Sequence, residues 1–376
     1  MSTLQNVDYD TLDRAKNAFI EASRRTSRFA EKYGFIPDGR LGASANLFAL
    51  DLSSFFKNGQ NKLFISLVPE GLGTADDARP DDLTEDESVE FWYNIGIKTV
   101  SVMTNDAASG ALQTILIGLY LPSSAPELVF NPAFMKGFLD GFVEGCRSVG
   151  CVYFSGETPQ LKNKIIEGKL DIAGALFALL PPGAEPIDGS RLRAGNYIVA
   201  VESSGPHENG YTVLRRIAAK LPRGYREPLE SGTEYWRACN APSKLYTPLV
   251  QALLSEGVPP NSIENITGHG WQKIMRSRKP MRYVIEKMLP QHEIFRFVQK
   301  CENVSDQEML STFNCGTGMV LFFDSESQAE AACSTAARLG LKAIIAGVTE
   351  DAPAREVLVH PLGVTLKGED FALQSG

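Results

Sequence analysis

The segment 201–211, VESSGPHENGY, combines side chains that can do chemistry with the backbone groups of a helix start. Ser203 and Ser204 supply hydroxyls, and His207 supplies an imidazole that titrates near neutral pH. Free backbone N–H groups at a helix start favour an anionic, phosphate-bearing ligand. The alternative is an ordinary strand-turn-helix junction, in which the Ser and Asn residues only cap the helix. Since no Ser-His-Asp arrangement surrounds the two serines, we interpret them as hydrogen-bonding residues and not as nucleophiles.

Two later segments repeat the theme of small residues around polar ones. They are 265–271, NITGHGW, and 311–319, STFNCGTGM. Gly268 and Gly270 allow backbone amides to approach phosphate oxygens closely, although turning the chain is their simplest role. The three segments together predict a site for a phosphorylated ligand.

Three carboxylates stand beside small residues in the first half of the chain: Glu70, Asp106 and Glu157. Hard oxygen ligands of this kind suit Mg²⁺ bridging nucleotide phosphates, whereas solvated loop carboxylates are the alternative. The sequence has neither a GxxxxGK[ST] loop nor a GxGxxG run after a strand. Any ATP site is therefore not of the P-loop or dinucleotide type.

The bulk composition is that of an ordinary globular protein. At 376 residues, the chain is long enough for two domains, and 43% of its residues are hydrophobic and 22% charged. The net charge of −8 argues against a nucleic-acid or anionic-membrane surface. Six cysteines without a CxxC pair, and no apolar signal or membrane-spanning run, predict a reduced, soluble, cytoplasmic protein.

The spacing of apolar residues predicts helices and strands mixed through both halves, which is an α+β pattern. Polar, turn-rich residues 183–194 are the expected domain boundary, giving domains 1–185 and 186–376. The predicted helices cover 11–33, 131–149, 209–221, 242–256, 292–301 and 328–339. The predicted strands cover 62–68, 112–121, 171–180, 196–202, 282–287 and 319–323, followed by two closing strands, and 151–158 is predicted as a strand that runs into a turn. Residues 94–103 are ambiguous between helix and strand.

The three ligand-site segments, in their order, resemble the C-terminal half of aminoimidazole ribonucleotide (AIR) synthetase, the phosphoribosylformylglycinamidine cyclo-ligase of purine biosynthesis. The resemblance extends towards the N-terminus through EGLGT (70–74), MTND (103–106) and SGET (155–158). That family carries an Asp-Gly-x-Gly-Thr-Lys loop, an Asn-Asp pair and a Gly-Gly-Glu-Thr turn at these places. The resemblance covers most of the chain, and it favours a helix over 94–103.

The resemblance implies a two-domain PurM-like fold. Residues 1–185 would bind ATP and pair their sheet with that of a second copy, and residues 186–376 would form an α/β sandwich. The implied activity is ATP- and Mg²⁺-dependent closure of formylglycinamidine ribonucleotide to aminoimidazole ribonucleotide by a homodimer. The alternatives are a non-catalytic or substrate-altered nucleotide-binding relative, or an enzyme like thiamine monophosphate kinase.

Site residues also follow from the resemblance. The catalytic candidates are His207, Asn209 and His269. The ATP-site candidates are Glu70, Gly71, Gly73, Thr74, Asn105, Asp106, Gly156 and Glu157, with Asp106, Glu157 and Glu70 as metal ligands. The substrate-site candidates are Ser203, Ser204, Gly210, Tyr211, Thr267, Gly268, Gly270 and Asn314.

Three positions depart from the pattern of that family. Glu70 replaces the loop aspartate, Ala75 replaces the loop lysine, and His269 replaces a glycine of the Thr-Gly-Gly-Gly run. The candidates to supply the missing cation are Arg79, Lys98 and Lys244. We expect the His269 ring to contact the ligand, where a protonated imidazole would replace part of the lost charge; the alternative is an outward-pointing ring.

Overall fold

The computed structural model describes residues 9–37, 48–54, 63–276 and 280–368. It confirms the α+β class, with helices and strands mixed throughout. The chain folds into two compact units, and each is discontinuous in sequence. The first comprises Met1–Asp76, Asp81–Thr104 and Thr114–Gly183, and the second comprises Asp77–Pro80, Asn105–Gln113 and Ala184–Gly376. The roles expected of the two domains stay predictions.

A four-stranded sheet with the order β3-β6-β4-β5 forms the centre of the first unit. Its strands are β3 (Ile65–Gly71), β4 (Gln113–Tyr120), β5 (Val152–Glu157) and β6 (Ala173–Leu179). β3 pairs antiparallel with β6, and β4 pairs parallel with β5. The earlier short elements are α1 (Tyr9–Thr26), β1 (Phe35–Pro37) and β2 (Phe48–Leu50).

Of the strand predicted at 62–68, residue 62 lies outside the described residues, and the strand forms as β3 with alternate side chains exposed. β3 is an edge strand on which Ile65 is 58% and Leu67 72% exposed. It also continues beyond the predicted end at residue 68, through Glu70 and Gly71, which pair with β6. An apolar run in the sequence looks the same in an edge strand as in a central one, so the pattern could not distinguish them.

Helix α4 (Pro132–Val149) forms as its sequence predicts. The Asn131 side chain accepts hydrogen bonds from the N–H groups of Ala133 and Phe134, and Pro132 follows at the first helical position. Its phenylalanine face is buried: the rings of Phe134 and Phe138 stack at 5.0 Å between centroids. The helix ends at Gly150, whose φ of 80° is left-handed.

Helix α2 (Glu85–Ser109) resolves the ambiguity at 94–103 in favour of a helix, as the resemblance indicated. It carries Asn105 and Asp106 near its C-terminal end, and that end belongs to the second unit. Three acidic residues begin the helix: Glu85, Asp86 and Glu87 occupy its first turn. Acidic side chains stabilise the positive end of the helix dipole there.

The second unit is built on a seven-stranded sheet with the order β13-β12-β9-β11-β7-β10-β8. Its strands are β7 (Tyr197–Glu202), β8 (Ser262–Asn265), β9 (Arg282–Ile285), β10 (Thr317–Phe323), β11 (Ala343–Glu350), β12 (Glu356–Val359) and β13 (Val364–Lys367). β10 is buried along its whole length between β7 and β8. Three strands close the chain where we predicted two.

Four further helices confirm predictions: α5 (Tyr211–Ala218), α7 (Thr247–Ser255), α8 (Glu293–Glu302) and α10 (Glu326–Arg338). Three more helices of the described residues were not predicted: α3 (Pro126–Val129), α6 (Tyr235–Cys239) and α9 (Asp306–Thr312). The largest differences are α1, which ends at Thr26, and α7, which begins only at Thr247. No described helix is long and apolar enough to cross a membrane. The six cysteines all lie within the described residues, and each is a free thiol.

Candidate ligand-binding site

The three segments singled out in the sequence meet at one buried residue of the second unit, Asn314. Ser203 Oγ donates to Asn314 Oδ1 at 2.8 Å, and Asn314 Nδ2 donates to the carbonyl of Gly205 at 2.8 Å. The indole nitrogen of Trp271 donates to the carbonyl of Asn314 at 3.1 Å. Segments 201–211, 265–271 and 311–319 therefore form one structure, with Asn314 as its hydrogen-bonding centre.

Two glycines let these segments approach closely. A Cβ on Gly210 would overlap the Phe313 ring, and a Cβ on Gly270 would overlap the carbonyl of Leu310. Both glycines also have left-handed φ angles, of 79° and 54°. Both glycines therefore have a steric role, because a side chain at either position would push the segments apart.

His207 is buried in the turn after β7. Its Nε2 accepts hydrogen bonds from the backbone N–H groups of Ser204 at 3.2 Å and Lys244 at 3.5 Å. Nε2 is therefore the unprotonated nitrogen, and the imidazole holds the turn against the chain before α7. The Ser204 hydroxyl also holds the turn there, because it donates a hydrogen bond to the carbonyl of Pro242 at 2.5 Å. The catalytic role expected for His207 stays a prediction.

The neighbouring residues of this turn differ in exposure. Tyr211 is buried, and its hydroxyl lies 2.6 Å from the carbonyl of Cys239. Asn209 is partly exposed and faces the second segment: a Cβ on Gly268 would lie 3.9 Å from Asn209 Oδ1. Among the residues predicted on this turn, Asn209 is thus well placed to meet a ligand bound at Gly268.

Asn105, predicted in the ATP site, is used as a clamp. Its Nδ2 donates to the carbonyl of Lys244 at 2.8 Å, and its Oδ1 accepts from the N–H of Tyr246 at 2.9 Å. Both ends of the amide thus hold the backbone at 244–246, just before α7. This clamp explains why the helix predicted from residue 242 starts later.

Asp106 joins the end of α2 to the second segment. Its Oδ1 accepts from the Asn265 side chain at 2.7 Å, at the end of β8. In the described part of the chain, this is the carboxylate's only hydrogen bond. The structure therefore brings one of the predicted ligand carboxylates to the three-segment site and leaves Oδ2 available there.

Sequence reasoning missed Glu264 and Lys273, which flank the same turn. Burial raises the pKa of Glu264 to about 7, against the opposing effect of the Lys273 and Arg276 cations, and Asp106 raises it further. Lys273 is only 8% exposed, and its ammonium donates to Thr267 Oγ1. The available signal was an acidic residue inside the short strand that leads into NITGHGW.

The raised pKa of Glu264 predicts a pH-dependent stability. The folded-state pKa of Glu264 lies above its unfolded value, so the folded protein holds this proton more tightly. The resulting contribution to the free energy of unfolding is fully present below about pH 4.5 and is lost as the pH rises through about 7. Glu264→Gln should remove this loss and stabilise the second unit at pH 8 by about 3 kcal/mol. Calorimetry from pH 5 to 8 checks it. The exposed Glu185→Gln is the control, and equal pH slopes in wild type and Glu264→Gln would refute the assignment.

The ATP-site candidates of the first unit lie on its strands and the turn after them. Glu70 and Gly71 end β3, Gly156 and Glu157 end β5, and Gly73 and Thr74 follow β3. β3 and β5 are opposite edges of the sheet, so three strand spacings, about 14 Å, separate them. Glu70 and Glu157 are therefore too far apart to bind one ion directly.

The predicted magnesium centre stays a prediction. No group of three or more His, Cys, Asp and Glu side chains suited to a metal ion occurs among the described residues. Ala75, which stands in place of a lysine, is buried in the short 3₁₀ helix Ala75–Asp77. Of the replacement cations, Lys244 lies in the second unit, where its ammonium is 3.3 Å from Glu202.

His269 is exposed and has a left-handed φ of 70°. It directly precedes the 3₁₀ helix Gly270–Met275. A left-handed residue is the position at which glycine is least strained, which accounts for a glycine in the Thr-Gly-Gly-Gly run. The ligand contact expected of the His269 ring stays a prediction.

We predict that His269→Gly stabilises the protein by up to about 1 kcal/mol, because it relieves the left-handed backbone. Thermal unfolding of the variant measures this. His360→Gly is the control, since His360 begins a short 3₁₀ helix with no left-handed backbone to relieve, and its exposed contact with Glu286 contributes little. A lower midpoint for His269→Gly would show that the imidazole itself stabilises the turn.

Comparison with known proteins supports the resemblance seen in the sequence. Residues 82–179 match the model of the family described as AIR synthase related protein, N-terminal domain. A phosphoribosylformylglycinamidine cyclo-ligase of Gloeobacter violaceus is 26% identical over 348 residues, covering 92% of this chain and 94% of that protein. One from Synechococcus sp. (strain CC9902) is 29% identical over 63% of this chain and 68% of that protein.

Residues 82–179 thus match an AIR synthase-related N-terminal domain, and the chain is similar to the cyclo-ligases over most of its length. Two solved structures share its fold. The hydrogenase maturation protein HypE of E. coli superposes with a TM-score of 0.60 at 17% identity, over 96% of this chain and 97% of that one. Thiamine-monophosphate kinase of Stenotrophomonas maltophilia K279a also gives 0.60, at 15% identity, over 92% and 97%. Identities this low establish the PurM-like fold alone.

Proposed function

We propose that this protein catalyses the ATP-dependent cyclisation of formylglycinamidine ribonucleotide to aminoimidazole ribonucleotide, as a cytoplasmic homodimer. The observation that carries the proposal is the convergence of the three segments on Asn314, with Asp106 brought to the same place. Relatives named for this reaction match nearly the whole chain. A HypE structure in complex with ATP has the same fold, which supports a nucleotide site.

The reaction needs positioning more than it needs a nucleophile on the protein. ATP transfers its terminal phosphoryl group to the formamide oxygen, releasing ADP and turning a poor leaving group into phosphate. The neighbouring amidine nitrogen then attacks the activated carbon, loses a proton, and closes the imidazole ring as phosphate leaves. Binding both substrates in line and neutralising their charge supplies most of the rate gain in such reactions.

The second unit offers matching groups for the phosphoribosyl substrate. Thr267 and the backbone of Gly268 and Gly270 would bind its phosphate, and Asn209 would contact the same ligand from the facing turn. Asp106 Oδ2 would bind a cationic part of the ligand, or magnesium with the nucleotide. Glu70, Gly71, Gly73, Thr74, Gly156 and Glu157 of the first unit are the proposed ATP contacts. Because Glu70 and Glu157 lie on opposite sheet edges, no step here depends on a three-carboxylate metal centre among the described residues.

ADP release that depends on the second substrate tests the proposal. The purified protein is incubated with ATP and Mg²⁺, and ADP is measured with formylglycinamidine ribonucleotide, with thiamine monophosphate, or with neither. We expect ADP and aminoimidazole ribonucleotide in equal amounts when formylglycinamidine ribonucleotide is present, and neither product without it. ADP formation with thiamine monophosphate would establish a kinase instead. ATP binding without turnover on any of them would establish a non-catalytic relative.

The exposed edge of the first unit's sheet predicts a homodimer. Phe64, which precedes β3, and Ile65 and Leu67 of β3 are all exposed, and the outer edge of β3 has no strand beside it among the described residues. An exposed apolar edge strand favours association. We expect wild type to scatter light as a dimer of the 41.0 kDa chain, and Leu67→Glu as a monomer. Leu339→Glu, at an exposed leucine of the second unit, should remain dimeric; a monomeric wild type at micromolar concentration contradicts the proposal.

A further inference from the structure

Lys273 is a charged residue that the ligand site leaves unexplained. It lies in the 3₁₀ helix Gly270–Met275, and its side chain is 8% exposed, which is rare for a lysine. Its ammonium donates a hydrogen bond to Thr267 Oγ1, in the turn that precedes the same helix. A buried cation is thus placed directly behind a residue predicted to bind substrate.

This contact fixes the direction of the Thr267 hydroxyl. An ammonium can only donate, so Thr267 Oγ1 must accept from Lys273, and its own proton must point elsewhere. Within the described residues, that proton has no acceptor. Thr267 is partly exposed, and Gly268 beside it is open to solvent. The turn therefore presents a hydroxyl donor, polarised by a buried positive charge, to whatever binds over Gly268.

The charges around this turn favour an anion there. Glu264 lies close enough to the Lys273 and Arg276 cations for both to lower the pKa of its carboxyl, and Asp106 raises it. Burial outweighs the two cations and raises that pKa to about 7, so the carboxyl is half protonated at neutral pH. Two cations therefore face the Asp106 carboxylate and a half-protonated Glu264, which leaves a small net positive charge for an anionic ligand oxygen to neutralise.

We propose that Lys273 is a positioning residue that makes Thr267 a charge-assisted donor to a phosphate oxygen of the ligand. The proposal deepens the proposed function and rests on it for the choice of ligand. The phosphate has two sources, the 5′-phosphate of the ribonucleotide and the phosphates of ATP, and the chemistry recognised is the same.

The test compares phosphorylated ligands with their dephosphorylated counterparts, because only the former reach the proposed donor. Isothermal titration calorimetry is performed with inorganic phosphate, formylglycinamidine ribonucleotide and its nucleoside, and ATP and adenosine. Lys273→Met and Thr267→Val should weaken binding of phosphate and of one phosphorylated ligand about tenfold. The matching nucleoside should be unaffected. If the ribonucleotide binds more weakly to the variants, the phosphate recognised is its 5′-phosphate; if ATP does, it is a phosphate of ATP.

Conservative variants separate this role from a structural one. Lys273→Arg and Thr267→Ser keep the charge and the hydroxyl and should bind nearly as wild type. The double variant Lys273→Met/Thr267→Val should lose little more than either single one, since both act through one contact. If Lys273→Met misfolds, Thr267→Val alone carries the test, because it leaves the ammonium in place.

Equal losses for phosphorylated ligand and nucleoside, or no loss in Thr267→Val, would overturn the inference. Its failure is distinguishable from failure of the proposed function. A wild type that forms no ADP with formylglycinamidine ribonucleotide, but whose phosphate binding falls in both variants, supports the phosphate donor and refutes the cyclisation. Full turnover in wild type, with phosphate binding unchanged in both variants, supports the cyclisation and refutes the phosphate donor.

Discussion

Asn314→Ala is expected to destabilise the second unit by about 3–5 kcal/mol, the largest stability effect predicted for this protein. The truncation leaves the Ser203 hydroxyl, the Gly205 carbonyl and the Gly316 N–H without their partner, and all three bonds are buried. A buried polar group that loses its hydrogen bond costs about 1–3 kcal/mol. Ligand affinity should fall with stability, because the same contacts hold the three segments together.

Urea denaturation, followed by a signal assigned to each unit, measures this effect. Gln307→Ala, which removes an exposed amide from α9, should change the free energy of unfolding by no more than about 0.5 kcal/mol. Asn314→Asp is a second variant: it keeps an acceptor for Ser203 but cannot donate to Gly205 without a proton. A loss below about 1 kcal/mol in Asn314→Ala would show that the segments hold together without this residue.

Asp106→Asn is expected to lower the rate of substrate-dependent ADP release at least about a hundredfold, while the fold stays intact. The substitution removes a charge at nearly constant shape, and the new amide oxygen can still accept from Asn265. Losing one charged contact at a phosphoryl-transfer site costs about 3–4 kcal/mol of transition-state stabilisation. Thermal midpoints should remain within a few degrees of wild type.

Steady-state kinetics and circular dichroism check this prediction together. Asp86→Asn is a matched control on the same helix, since Asp86 is an exposed residue of the first turn of α2. It should keep full activity. If Asp106→Asn turns over within twofold of wild type, Asp106 only anchors Asn265 and has no part in ligand binding.

Local sequence signals predicted those elements whose structure is decided locally. Helix α4 carries its own start at Asn131 and Pro132, its own buried face, and its own stop at Gly150. Its sequence therefore specifies it without reference to the rest of the chain. The order of the three ligand-site segments was equally readable, because their turn residues are concentrated in short runs.

What the sequence could not show was which polar side chains face a ligand and which hold the scaffold. The amide of Asn105 bonds backbone atoms 139 and 141 residues away, while its place in the ATP site stays a prediction. Asn314 joins the segments to one another, and its contact with substrate likewise stays a prediction. Contacts this distant in sequence depend on the tertiary fold, and no local pattern encodes them.

The sequence also could not show which residues the fold buries. The runs 65–68, ISLV, and 319–323, MVLFF, are both largely apolar, yet the first lies on the exposed edge strand β3 and the second on the buried strand β10. Glu264 illustrates the reverse case, because a charged residue reads as solvated until the fold buries it. Its neighbour Lys273 was overlooked for the same reason.

Hydrogen–deuterium exchange with formylglycinamidine ribonucleotide tests most directly whether the three segments form one ligand-binding site. Wild type is labelled with and without saturating ribonucleotide, and Asp106→Asn is labelled alongside. The predicted result is slower exchange in 203–210 and 265–270 together, with a smaller change around Asn314, whose contacts are already buried. Protection confined to one of these segments, or lying outside all of them, would contradict the account.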